Sequence, residues 1–158
     1  MNQFVFAAEV ETNWNWLTLS MKIAKTNFCI GEKIAVSVTV SNIGSEQHFI
    51  PWYAGDPCDY GMGHFEITSG NSSIPCRLTP ALRAQLIHYY LTSLNGHGFK
   101  TFEADLTSGY DMTNAGPYNI CAVDSFAQQG TNQQFNTVTT PPIIISMAPK
   151  FETNMPSK

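Results

Sequence analysis

Four histidines, His48, His64, His88 and His97, and four cysteines, Cys29, Cys58, Cys76 and Cys121, are the side chains best suited to ligate a metal or attack a substrate. Their spacing points to neither role. The histidines are scattered singly, and no HExxH run supplies the helical pair and general base of a zinc peptidase. The cysteines form no CxxC pair, and no histidine lies near them at zinc-finger spacing. No GxSxG is present, and no cysteine sits in the context of a thiol-peptidase nucleophile. Gly61-Met62-Gly63 and Gly96-His97-Gly98 are short glycine pairs, not a GxGxxG turn or a P-loop. Asp105 and Asp111 could form an acid–base pair, but their place between strands suits turn residues that bond their own backbone. The expectation is a chain with no catalytic residue, no metal and no cofactor.

The even cysteine set fits two disulfides formed in an oxidising compartment. Of the three possible pairings, Cys58 with Cys76 would close a hairpin region, and Cys29 with Cys121 would tie an early segment to a late strand. Four small buried thiols in a reducing compartment are the alternative. The apolar stretch Gln3–Ala8 is too short for a signal-peptide core, and no Lys or Arg precedes it. It is either the tail of a truncated signal or a first strand. A secreted or periplasmic location is expected.

Aromatic residues offer binding chemistry instead. Trp52, Tyr53 and Tyr60 flank a loop containing Gly55, Asp56, Pro57 and Asp59. Such rings stack on sugars or anchor in a partner's pocket, and otherwise they cover the open end of a core. Trp14 and Trp16 are expected on one face of a strand-like start, filling the core.

These residues must be held by a scaffold. The chain has 158 residues, 43% hydrophobic and 13% charged, with a net charge of −4. That length suits one domain with its own core over 1–158. Residues 1–15 read as an N-terminal extension or first strand, and 148–158 as a flexible tail. Eight Lys+Arg against twelve Asp+Glu leave little basic surface for nucleic acid, and no apolar run suggests a transmembrane segment. Period-two alternation over Leu17–Ile23 and Ile34–Val40 predicts strands with one apolar face. Further strands are predicted over His48–Tyr53, with Pro51 marking an edge, and over Met62–Thr68, Ser72–Cys76, Phe99–Leu106, Tyr118–Val123 and Ile143–Met147. Thr79-Pro80 with Leu82, Leu86, Tyr89 and Tyr90 predicts a short helix or turn. Asp124–Thr140, rich in Gln, Asn and Thr, reads as a long loop or exposed hairpin. The fold class is all-β, an immunoglobulin-like β-sandwich of about seven to nine strands.

One segment carries a resemblance. Tyr90-Leu91…Leu94…Gly98…Phe102…Asp105-Leu106-Thr107…Tyr110-Asp111…Gly116…Tyr118…Ile120 is similar to the N-terminal, largely propeptide β-sandwich domain of deuterolysin-like and peptidyl-Lys zinc metalloendopeptidases. The strand Ile34–Val40 with Ser41-Asn42-Ile43-Gly44-Ser45 resembles that domain's strand and turn. The likeness spans about two-thirds of the chain, Leu17 to Val123, and the peptidase half has no counterpart here. In structural terms, Asp105 and Thr107 would cap a turn, Tyr110 would plug the sandwich end, and Gly116 would lead tightly into a strand. A looser similarity links the chain to the intracellular proteinase inhibitor family. The resemblance implies a non-catalytic protein-binding domain whose partner is a peptidase, acting as a propeptide-like or freestanding inhibitor. The contact surface would be Trp52–Tyr60 and Asn95–Phe99, with Trp52, Tyr53, Tyr60, His97 and Phe99 as its partner-binding residues. A lectin-like module using the loop aromatics on a glycan is the alternative. A secreted structural or virulence-related interaction protein is a further one.

Overall fold

The computed structural model describes residues 8–54, 59–60, 63–78, 88–127 and 135–150. In chain order its strands begin with β1 (Ala8–Trp14), β2 (Leu17–Ile23), β3 (Asn27–Cys29), β4 (Ala35–Asn42) and β5 (His48–Ala54). They continue with β6 (Asp59–Tyr60), β7 (Gly63–Ser69), β8 (Ser72–Ser73), β9 (His88–Leu94) and β10 (Phe99–Asp105). After the short helix α1 (Leu106–Gly109) come β11 (Gly116–Ala127), β12 (Phe135–Thr139) and β13 (Ile143–Ala148). Among the described residues the protein is all-β apart from that one turn of helix. Thirteen strands are described, more than the seven to nine expected, because several short ones and the β5–β9 pair add to the main frame.

One sheet runs β1-β2-β4-β10, antiparallel throughout. A second runs β3-β13-β11-β7-β6, and β12 also pairs with β11. Alternation gives each sheet an apolar face, and in β2 the polar residues Thr18 and Ser20 are buried as well. Leu17, Leu19, Met21, Val36, Val38 and Val40 from the first sheet join Phe65, Ile67, Tyr118, Ile120, Ile143 and Ile145 from the second in a single buried cluster. Each such side chain removed from water contributes about 1.5–3 kcal/mol, so this cluster is the main source of stability.

Local chemistry sets the ends of the strands. Asp105 caps α1, its Oδ1 accepting from Thr107 N at 3.1 Å and from Thr107 Oγ1 at 2.6 Å. Asp111 instead accepts from Thr113 Oγ1 and Arg77 Nη2. Tyr110, buried beyond α1, donates its hydroxyl to Phe65 O at 3.0 Å. Gly116 opens β11 at φ +135, and Tyr118 Oη donates back to Asn114 O at 3.0 Å.

Two expectations change. Trp14 and Trp16 do not share a strand face: Trp14 ends β1, while Asn15-Trp16 is the two-residue loop to β2, with Asn15 at φ +51. Asparagine tolerates that backbone, which lets the chain reverse there. Both tryptophans still pack against the core, as expected. Tyr89 and Tyr90 belong to β9, not to a helix, because β5 pairs with them; 79–87 lie outside the described residues. Of the two readings of Asp124–Thr140, the hairpin is the one found at its ends: β11 runs to Ala127 and β12 pairs back on it. β11 changes neighbour from β13 to β12 around Cys121-Ala122, where Ala122 N donates to buried Thr140 Oγ1 at 3.0 Å. Pro141 and Pro142, which have no N–H to give a ladder, separate the two strands.

Candidate functional site

The β4–β10 ladder stops at Ser41–Phe99, and the β5–β9 ladder starts at His48–Leu94. Between them, two connections, 43–47 and 95–98, form a corner from which the two-stranded ribbon departs. Asn42 is its pin. Its buried carboxamide Nδ2 donates to Glu46 O at 2.7 Å, Leu94 O at 3.2 Å and Asn95 O at 3.1 Å, and its Oδ1 accepts from Gly44 N at 2.9 Å. An amide carries both donors and an acceptor, so one side chain satisfies backbone groups from both connections.

Main-chain bonds complete the frame. Asn42 N donates to Gly98 O, His97 N to Gly44 O, Gly98 N to Asn95 O and Ile43 N to Trp16 O, all between 2.7 and 3.0 Å. His97 holds φ +58 at the tip. Gly96 lies against the opposite connection so closely that a Cβ there would stand 2.1 Å from Ser45 O. The Trp16 and His48 rings stack with centroids 3.8 Å apart and planes at 9°. Beside them, Asn15, Gly44, Ser45 and Glu46 complete an open groove of about 360 Å³.

Onto this frame the fold places exposed apolar side chains. Ile43 (49% exposed) follows β4, Phe49 (63%) is the second residue of β5, and Phe99 (69%) is the first of β10. Large apolar groups held by a hydrogen-bonded backbone lose little freedom on docking, which favours their use as anchors.

Of the partner-binding residues read from sequence, His97 and Phe99 are on this corner. Trp52 and Tyr53 are on β5, in register with Tyr90 and Tyr89, and Tyr60 is on β6 opposite Gly63. Their side chains, and 55–58 of the intervening loop, lie outside the described residues. Phe49 and Ile43 were missed. Phe49 stands out of phase with buried Ile50 in the predicted strand, which was the available signal.

The cysteines divide. Cys29 and Cys121 are free thiols, so the expected bond between them is corrected. Cys29 is level with Ala148, two strands from Cys121 and several residues along, a separation on the order of 20 Å at sheet spacings. A disulfide spans roughly 4.4–6.8 Å between Cα atoms. Burial first, and the opposed Glu66 carboxylate second, push the Cys121 thiol up, which suppresses its reactivity. Cys76 is disulfide-bonded, and Cys58, its expected partner, lies outside the described residues.

A buried acid was also missed. Asp124, expected to open a long loop or exposed hairpin, lies on β11 between Gly63 and Val138 and is fully buried. Its Oδ1 accepts from Ser125 N at 2.7 Å, while Oδ2 has no partner among the described residues. Burial raises its pKa to about 7, opposed weakly by the Ser125 amide.

Among the described residues, no three His, Cys, Asp or Glu side chains gather where they could hold a metal ion. No helix among them is long and apolar enough to cross a membrane. Compared with protein-family models and with curated proteins, the chain matches none.

Proposed function

We propose that this chain is a non-catalytic, exported, immunoglobulin-like β-sandwich that binds another protein, a peptidase, as a propeptide-like or freestanding inhibitor. The observation that carries this reading is the pinned corner with Ile43, Phe49 and Phe99 exposed around it. The sandwich is supported by one core drawn from two sheets. Within the resembling segment, Asp105, Tyr110 and Gly116 have the local duties their residue types suggest. Export is supported by Cys76 being disulfide-bonded, with Cys58 proposed as its partner. Inhibition constants against a panel of zinc and serine peptidases test the reading. Saturable inhibition of at least one enzyme is expected; folded protein that neither binds nor inhibits any of them overturns it.

One observation favours a glycan-binding reading as the second choice: the β5–β9 register sets Trp52 against Tyr90 and Tyr53 against Tyr89. Aromatic residues are the type that stacks on sugar rings. A glycan array with wild type and Trp52→Ala separates the readings, since sugar binding lost in the variant would favour this one.

A further inference from the structure

β1 is the end strand of its sheet, and its seven residues pair with β2 alone among the described residues. Which of its backbone groups are left over follows from the hairpin. A two-residue loop makes Trp14–Leu17 a hydrogen-bonded pair, and the pattern alternates from there. The N–H and C=O groups of Glu9, Glu11 and Asn13 therefore point to the open side. Cross-strand contacts agree: Lys22 Nζ reaches Glu9 Oε1 at 2.8 Å, and Thr18 Oγ1 donates to Asn13 Oδ1, both across pairs of the closer, non-bonded type.

Sheet edges are ordinarily blunted by proline, lysine, a bulge or brevity. The opposite edge, β10, carries Lys100, while β3 and β6 at the ends of the second sheet have three and two residues. β1 has none of these devices. It carries acid instead: Glu9, Glu11 and Asn13 are exposed, and Glu11 has no ion pair among the described residues. Self-pairing is disfavoured by that charge, because an antiparallel copy centred on Glu11 would set two Glu11 carboxylates face to face.

We infer that β1 is a strand-addition site for an extended segment of a partner protein bearing Lys or Arg at alternate positions. Backbone bonds to Glu9, Glu11 and Asn13 supply affinity, and basic side chains over Glu9 and Glu11 supply selectivity. The inference rests on the protein-binding reading only in that the partner is a polypeptide, and it uses backbone groups of Glu9, Glu11 and Asn13, none of which belongs to the corner.

The probe is a blocked, fluorescein-labelled seven-residue peptide alternating valine and lysine. Fluorescence anisotropy measures its binding, and amide hydrogen exchange reports on β1. Saturable binding is expected, with slowed exchange at Glu9, Glu11 and Asn13. Glu11→Lys should weaken binding at least tenfold, and N-methylation of alternate peptide amides should abolish it. A valine–glutamate peptide should not bind. Phe49→Ala should leave the affinity unchanged, so failure here is distinguishable from failure at the corner. No binding by folded protein, equal binding by Glu11→Lys, or full binding of the N-methylated peptide would each overturn the inference.

Discussion

The Asn42 carboxamide donates to the carbonyl of Leu94 at 3.2 Å, across 52 positions of sequence. That contact joins the end of β4 to the end of β9, and three further bonds from the same side chain hold the two connections of the corner. Asn42→Ala leaves several carbonyls unpaired in a buried place, at a cost of about 2–4 kcal/mol. Asn42→Asp should be comparably damaging, because a carboxylate cannot donate. Urea denaturation of both variants checks this, with a lowered midpoint and unchanged slope expected.

Gly96 tests the corner from the other side. A Cβ there would overlap Ser45 backbone atoms at 2.1, 2.5 and 2.9 Å, so the two connections must separate to admit alanine. Gly96→Ala should lower the melting temperature and weaken partner binding together. Gly98→Ala, whose nearest neighbour is Asn95 O at 3.0 Å, should be the milder change.

Asp124 should make stability fall as pH rises. Its folded pKa of about 7 stands above the unfolded carboxylate value near ~4, so between these pH values only the folded state keeps the proton. The protein is therefore most stabilised by this group below pH ~4, and loses on the order of 4 kcal/mol on the way to pH ~7. Asp124→Asn should flatten that segment of the curve and exceed wild-type stability at pH ~8. Denaturant melts at several pH values measure it.

Much of the frame was legible in the sequence. Alternation in Leu17–Ile23 and in the valines of β4 located two core strands, because a half-buried sheet leaves a period of two. Asp105, Tyr110 and Gly116 were readable because each has a local duty. The corner was not readable in full: Asn42 and Ser45 sit near each other in sequence, but Leu94, Asn95 and Gly96 meet them only through the fold. Asp124 misled for a different reason, since an aspartate before a Gln- and Asn-rich stretch resembles solvent-facing loop. Its burial follows from β12 and β7 flanking β11 at that position, and no local pattern marks the side chain as inward-facing.

The two free thiols should differ in reactivity. Cys29 is exposed, whereas Cys121 is half-buried beside Glu66 with its thiol pushed up. A native thiol titration should show one fast and one slow group, and denatured, unreduced protein should show two thiols, not four. Four thiols in material from an oxidising host would remove the support for export.

The central claim is that the corner docks a peptidase. Titration calorimetry of wild type and the Phe49→Ala/Phe99→Ala double variant, against an enzyme the wild type inhibits, tests it most directly. Truncating two anchors should raise the dissociation constant at least about 30-fold while thermal stability stays near wild type. Equal affinity for the two proteins would contradict the account.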